Sequence, residues 1–161
     1  MTLHTGPGCF LDQNPPTPFS GTVGNADCEG NTGCGIADSD PTSFGAGLRE
    51  AGGGVFAHLW NKDGIKIWHF KRSSIPQDIT NNEPDPSTWP TPAAFFANTN
   101  CDMSTHFVDH SIVIDTTLCG DWAGAVYGGS GCPGTCAQAV SSASNFKSTS
   151  VPFACDKLVL N

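Results

Sequence analysis

Val55-Phe56-Ala57-His58-Leu59-Trp60-Asn61-Lys62-Asp63-Gly64-Ile65-Lys66-Ile67-Trp68-His69-Phe70 contains two runs rich in β-branched and aromatic residues, separated by a short polar break. The pair Asp63-Gly64 favours a tight turn, so the stretch predicts a β-hairpin. Strand alternation then places Ile65, Ile67 and His69 on one face of the second run and Lys66, Trp68 and Phe70 on the other. Because both faces carry apolar or aromatic groups, we expect both to be covered.

The composition of the 161 residues is typical of short strands joined by many turns. Only 14% of the residues are charged, and there are 19 glycines and 12 prolines. This pattern predicts an all-β class, and the length fits one domain over residues 1–161.

The charge of the chain excludes several classes of partner. Its formal net charge is −8 at pH 7 and its pI is about 4.7. Such a chain repels phosphate backbones and anionic lipid, so we expect no nucleic-acid and no membrane partner. The sequence also lacks an apolar run of roughly 18 residues that would predict a membrane span. Neutral ligands remain possible.

Eight cysteines, an even number, predict disulfides and therefore a secreted protein. Pairing of Cys28 with Cys34 and of Cys132 with Cys136 would each close a short loop, but spacing leaves the connectivity open. A metal or redox role for Cys132 and Cys136 is less favoured than a disulfide. The first residues have neither the charged nor the apolar region of a signal peptide, so we expect further sequence upstream.

Weaker patterns organise the rest of the chain. Residues 10–54 and 72–100 are rich in glycine or proline and predict long irregular loops, the first tied down by cysteines. Residues 111–118 and 151–160 predict strands, and residues 135–144 predict a short helix.

Several longer motifs follow one another in a characteristic order. They are Thr2-Leu3-His4-Thr5-Gly6-Pro7-Gly8-Cys9, Gly52-Gly53-Gly54-Val55-Phe56, Gly64-Ile65-Lys66-Ile67-Trp68, Arg72-Ser73-Ser74-Ile75-Pro76, Trp89-Pro90-Thr91-Pro92, Asn100-Cys101-Asp102, His106-Phe107 and Asp115-Thr116-Thr117-Leu118-Cys119-Gly120-Asp121-Trp122-Ala123-Gly124. The series resembles the C-terminal part of fungal glycoside hydrolase family 16 endo-1,3(4)-β-glucanases, the laminarinase-like enzymes.

That resemblance implies a β-jelly roll, here partial or rebuilt, stapled by disulfides and carrying long Gly/Pro-rich loops. It also implies a cleft for β-1,3- or mixed β-1,3/1,4-glucan and a retaining mechanism with two carboxylates. In the family both carboxylates come from one strand bearing Glu-x-Asp-x-x-Glu. These 161 residues contain no such string, since the glutamates are Glu29, Glu50 and Glu83. We expect that strand just before Met1, and we predict no catalytic residue within the chain.

Two other constellations have ordinary explanations. Asp38-Ser39-Asp40 is the nearest pair of carboxylates at alternate spacing, and its Gly-rich surroundings favour turn chemistry over catalysis. His106 and His110, with Asp102 and Asp109 nearby, have a spacing that binds zinc on a helix, but the segment does not predict one. We therefore predict no metal and no cofactor.

The resemblance points to four substrate-binding residues. His4 matches a histidine beside the catalytic strand, and the alternative is a surface histidine. Trp122 matches a cleft aromatic whose flat face suits a glucose ring, and the alternative is core packing. Asp121 would accept sugar hydroxyls or cap a turn. Trp68 is the weakest of the four, because either face of its strand may be core.

The leading hypothesis is a truncated or processed β-glucanase relative that keeps part of a β-glucan-binding cleft and does not hydrolyse glucan alone. Retaining endo-hydrolysis is expected only if an upstream fragment supplies the carboxylates. Half a jelly roll leaves open strand edges, which also predicts pairing with such a fragment or self-association. The alternative is a secreted cysteine-rich recognition protein that has lost glucan binding.

Overall fold

The computed structural model describes residues 1–114 and 119–141, with Trp122 and Ala123 described by their backbone alone. The chain divides into two compact units, Met1–His110 and Ser111–Asn161, and each is described by itself below. The assignment of residues 1–161 to one domain remains a prediction.

The first unit begins with a small antiparallel sheet. Its strands are β1 (Thr2–Leu3), β2 (Thr22–Val23) and β3 (Cys34–Ala37), in the order β1-β3-β2. The expectation of one irregular loop over residues 10–54 is therefore wrong in part, because this segment contains β2, β3 and the short helix α1 (Gly45–Glu50). β2 and β3 form because they pair with strands that are distant in the sequence, and not because of a strong local β propensity.

The predicted hairpin is confirmed and forms the second sheet. Strand β4 (Gly54–Asn61) pairs with β5 (Gly64–Lys71) along its whole length, and Asn61 faces Gly64 across the turn. Strand β6 (Ala94–Ala97) pairs with the other edge of β5. Residues 72–100 are thus not entirely irregular. Before β6 they also form helix α2 (Gln77–Thr80) and 3-10 turns at Arg72–Ser74 and Pro86–Thr88.

Gly64 is required where β5 passes closest to β6. Its φ is +134°, and a Cβ atom there would collide with the carbonyl oxygen of Phe96. The same residue therefore ends the hairpin turn and allows the third strand to approach.

The core of the first unit lies between the two sheets. Ile65, Ala94 and Phe96 from the second sheet pack with Ile36 and Leu11, and the disulfide Cys9–Cys101 crosses the same cluster. The other face of β5 is also covered, because Trp68 and Phe70 pack edge to face against Trp89. Burial of both faces agrees with the sequence pattern.

The disulfides bear out one local closure and overturn the other. Cys28 pairs with Cys34, as the sequence suggests. Cys136, however, pairs with Cys119 rather than Cys132, which is itself disulfide-bonded. Cys136 is the first residue of the helix Cys136–Val140, and Cys119 directly precedes the helix Gly120–Val126, so the bond ties the starts of the two helices together.

The second unit is helical where it is described. Helix α3 (Met103–His106) still belongs to the first unit, whereas α4 (Gly120–Val126), a 3-10 turn at Gly128–Ser130 and α5 (Cys136–Val140) belong to the second. Helix α5 confirms the prediction around residue 135, and Thr135 begins it with a capping box to Gln138.

The predicted strand over residues 111–118 is not formed in its described part. Residues 111–114 have no regular structure, and Ile112 and Ile114 are 95% and 92% exposed. Residues 115–118 and the predicted strand over 151–160 lie outside the described residues. Within the described part of the chain, no helix is long and apolar enough to cross a membrane.

The core assignment predicts a difference between two phenylalanines. Phe96 is 2% exposed and Phe44 is 57% exposed. We expect Phe96→Ala to lower the free energy of unfolding by about 3–5 kcal/mol because it leaves a cavity between the sheets. Phe44→Ala should change it by less than about 0.5 kcal/mol. Urea denaturation measures both values, and equal losses would contradict the assignment.

Candidate functional site

His4 lies on the outer face of the first sheet, directly after β1. Leu3 packs toward the core, whereas Thr2 and His4 are exposed. The Nδ1 atom of His4 lies 3.1 Å from the carbonyl oxygen of Gly30. A carbonyl only accepts hydrogen bonds, so Nδ1 carries the proton and Nε2 of the neutral ring is left as an acceptor. This acceptor suits a sugar hydroxyl or a protonated carboxyl group.

A stapled loop holds His4 in place. The disulfide Cys28–Cys34 closes the loop that carries Gly30 and Gly33, and Thr5 is bonded to the loop backbone at Cys28 and Gly30. Gly33 has a φ of +62°, and a Cβ atom there would lie 2.7 Å from Nδ1 of His4 and would collide with the Leu3 carbonyl oxygen. Only glycine lets the ring and the loop lie this close.

The other predicted site residues differ in how the structure places them. Trp68 is only 4% exposed, and its Nε1 donates to the carbonyl of Pro90 at 2.7 Å. This placement favours the core-packing alternative for Trp68. Asp121 is exposed in the first turn of α4. The side chain of Trp122 lies outside the described part, so its sugar contact remains a prediction.

The Asp38–Asp40 pair is engaged in turn and ion-pair contacts. Oδ1 of Asp38 accepts the Asp40 backbone N–H, and Oδ1 of Asp40 accepts both the N–H and the hydroxyl of Thr42. Nζ of Lys71 lies 3.1 Å from Asp40, and Nδ1 of the buried His69 lies 3.8 Å from Asp38. Asp38 and Asp40 therefore lie opposite His69 and Lys71, which are also two residues apart on β5. This correspondence is not evident from the sequence, because the two pairs are about 30 residues apart.

Hydrogen bonding lowers the pKa of Asp40 and of three other carboxyl groups. The Thr42 hydroxyl and then its N–H lower the pKa of Asp40 to about 2. The Thr99 hydroxyl lowers the pKa of Asp12, the Asp85 N–H that of Asp78, and the Ser104 hydroxyl that of Asp102. Each pKa shift resolved for a carboxyl group in the described residues is downward, which is opposite to what a general acid needs.

His106 joins two segments of the first unit. Its Nε2 lies 3.1 Å from the carbonyl of Pro7, and its Nδ1 lies 2.9 Å from the carbonyl of Asp102. The Pro7 carbonyl, and after it the Asp102 carbonyl, raise the pKa of His106, because only the imidazolium has an N–H for each. Both ring nitrogens of His106 are thus engaged, so neither is free to bind zinc, and His110 packs against Trp60 and Phe107. The described residues hold no group of three potential metal ligands.

Comparison with known proteins identifies the family. Residues 1–154 match the model of the XgeA-like catalytic domain of glycoside hydrolase family 16. A probable glycosidase of Schizosaccharomyces pombe is 41% identical over 143 residues, and a probable endo-1,3(4)-β-glucanase of Aspergillus flavus is 42% identical over 136 residues. The chain therefore belongs to glycoside hydrolase family 16.

Solved structures agree with this assignment and with the predicted jelly-roll class. Laminarinase 16A from Phanerochaete chrysosporium, solved with β-glucans in its donor and acceptor sites, matches with a TM-score of 0.74 and 36% identity. An elongating β-1,3-glucosyltransferase of the family matches with a TM-score of 0.74 and 40% identity.

The matched relatives are considerably longer than this chain. The matches include 86% of this chain but 49% of the laminarinase chain, and 84% of this chain but 46% of the glucosyltransferase. For the Schizosaccharomyces and Aspergillus relatives, the matches include 84% and 83% of this chain but 34% and 20% of the relative.

The Gly33 contact predicts that two similar substitutions differ in effect. Gly30 and Gly33 both have positive φ, but a Cβ atom on Gly30 would meet nothing within 4 Å. We expect Gly30→Ala to cost about 1–2 kcal/mol through backbone strain alone, and Gly33→Ala to cost more. Gly33→Ala should also shift the His4 imidazole signals in NMR, whereas Gly30→Ala should leave them nearly unchanged. Identical shifts in both variants would contradict this geometry.

The raised pKa of His106 predicts a pH-dependent contribution to stability. A group whose pKa is raised by folding stabilises the folded state fully below its unfolded pKa, near 6.5, and loses that effect as pH rises through the folded pKa. The difference in urea midpoint between wild type and His106→Ala should therefore shrink from about pH 5 to about pH 8. His110→Ala serves as the control. A difference independent of pH would contradict the double carbonyl contact.

Proposed function

We propose that these 161 residues form a β-glucan-binding part of a family 16 domain and do not hydrolyse glucan by themselves. The ligand is a β-1,3- or mixed β-1,3/1,4-glucan. Hydrolysis with retention requires a polypeptide that supplies the two carboxylates of Glu-x-Asp-x-x-Glu, whether joined to this chain or separate from it.

The absence of hydrolysis is proposed from the positions of the carboxyl groups and from the low pKa of Asp40. A retaining glycosidase needs two carboxyl groups roughly 5 Å apart, one of which can donate a proton. Glu29, Glu50 and Glu83 are exposed and lie in separate elements of the first unit. In the Asp38–Asp40 pair, each carboxylate accepts a backbone N–H, Asp40 also pairs with Lys71, and the pKa of Asp40 is about 2. A group that is ionised throughout the working range has no proton to give to a leaving oxygen.

Kinship and the geometry of His4 support glucan binding. The laminarinase with β-glucans in its donor and acceptor sites shares 36% identity with this chain. His4 presents an exposed imidazole on a face braced by a disulfide-closed loop. In the first unit, Nε2 of His4 accepts a sugar hydroxyl. In the second unit, the proposed sugar contacts are Asp121 and Trp122, which rest on the family resemblance alone.

The same proposal includes secretion. Disulfides Cys9–Cys101, Cys28–Cys34 and Cys119–Cys136 are stable in an oxidising compartment, and neutral polysaccharide outside the cell is a ligand that an acidic chain does not repel.

Binding and cleavage are tested separately. The purified chain should sediment with insoluble β-1,3-glucan, and calorimetry with laminarihexaose should show binding. His4→Ala and Trp122→Ala should each weaken binding about tenfold, since one lost contact costs on the order of 1.4 kcal/mol. His110→Ala, an exposed histidine outside the proposed site, is the matched control and should bind as wild type does. No binding to a folded chain would favour the recognition-protein alternative.

Reducing-sugar assays on laminarin measure the second half of the proposal. The purified chain should release no reducing ends. Co-expression with a family polypeptide that carries Glu-x-Asp-x-x-Glu should restore release, and changing both of its glutamates to Gln should abolish it. Hydrolysis by the chain alone would refute the non-catalytic proposal without affecting the binding result.

A further inference from the structure

Strand β4 offers an open edge in the described part of the first unit. The second sheet has the order β4-β5-β6, so β5 is central and β4 pairs on one side only. The bond from Arg72 N–H to the Gly53 carbonyl shows that odd-numbered residues here point their backbone groups toward β5. Strand alternation therefore directs the N–H and C=O groups of Phe56, His58 and Trp60 outward.

The side chains of the same three residues form an exposed row on an otherwise buried face. Register places them beside His69, Ile67 and Ile65, and Ile65 faces the buried Phe96. Phe56 is 55% exposed and Trp60 is 41% exposed, although Ile65 and Phe96 are core residues. Phe56 stacks on His69, and Trp60 packs edge to face against Phe107 and His110. The row is thus a partly covered margin of the hydrophobic core. Together with the open backbone groups it suits an added β-strand.

The absence of charged residues from β4 favours a second copy of the same chain as its pairing partner. A chain of net charge −8 repels its own copies over most of its surface. Gly54–Asn61 contains no Asp, Glu, Lys or Arg, so two copies meet here without like charges facing each other. The strand also contains no proline that would block a new ladder.

The strand is self-complementary in one particular register. We propose that two copies of this chain pair edge to edge through antiparallel β4 strands, related by a two-fold axis at His58. His58 then faces His58 of the second copy, and Phe56 faces Trp60. These three facing pairs all consist of residues with outward backbone groups, so each pair exchanges two hydrogen bonds. The Lys62-Asp63 turn faces Gly54 and Gly53 of the second copy, which have no side chains to obstruct it.

Aromatic pairs add to this ladder. Cross-strand aromatic neighbours stabilise a β-sheet, and the two-fold axis creates two Phe56–Trp60 pairs on the core face. The pairing extends each three-stranded sheet into one continuous six-stranded sheet. The interface does not depend on glucan binding, so its test is independent of the proposed function.

Light scattering across a concentration series measures the oligomeric state of the purified chain. We expect a monomer–dimer equilibrium, and a monomer at every concentration would overturn the proposal. His58→Pro removes only an outward N–H and should give a monomer, whereas the matched variant His58→Ala keeps that N–H and should remain dimeric. If circular dichroism shows that His58→Pro is unfolded, His58→Lys replaces it and should also be monomeric, because like charges meet across the axis. A dimer in all of these variants would assign the contact to another surface.

Cysteine trapping tests the register itself. Facing residues in a hydrogen-bonded pair have Cα atoms about 5.5 Å apart, within the range of a disulfide. His58→Cys should therefore cross-link to itself, with the bond located by peptide mapping. Phe56→Cys should not, because the two copies of residue 56 lie roughly 13 Å apart along the strands. Equal cross-linking of both variants would refute this register. If β4 pairs only with an added family fragment and never with a second copy, the proposed dimer is wrong and the fragment is the partner.

Discussion

Burial of strand β5 on both faces is the constraint on which the first unit depends. Ile65 on one face requires a cover, which Ile36 of the first sheet supplies together with Leu11 and the Cys9–Cys101 disulfide. Trp68 and Phe70 on the other face require another cover, which Trp89 supplies from the proline-rich segment. The long irregular stretches of the chain are thus held in place by the strand that they enclose.

The covering segments also create the site geometry. The cysteine-closed loop that leads into β3 positions Gly30 and Gly33 against His4. Asp38 and Asp40 follow β3 and lie opposite His69 and Lys71 of β5. The ion pair between Asp40 and Lys71 therefore links the segment after β3 to the second sheet. These contacts engage Asp38 and Asp40 in holding the fold together.

The hairpin, the class of fold and the Cys28–Cys34 closure were predictable because their signals are local. Strands β3 and β6 were not. β3 contains Cys34 and Gly35, and β6 has alanines at both ends, so neither carries a strand pattern. Their pairing partners are far away in sequence, and long-range burial outweighs weak local propensity. The Cys119–Cys136 disulfide was not predictable for the same reason, because it depends on how the first turns of two helices lie relative to each other. His4 could be proposed from the resemblance, but only the structure shows which of its nitrogens is free.

We propose that this chain binds glucan without cleaving it, and an NMR titration of the isotope-labelled chain with laminarihexaose follows binding and cleavage in one sample. We expect the His4 imidazole signals to shift in a saturable way while the anomeric signals of the sugar show no new reducing ends over time. New reducing-end signals, or His4 signals that do not move at saturating sugar, would contradict it.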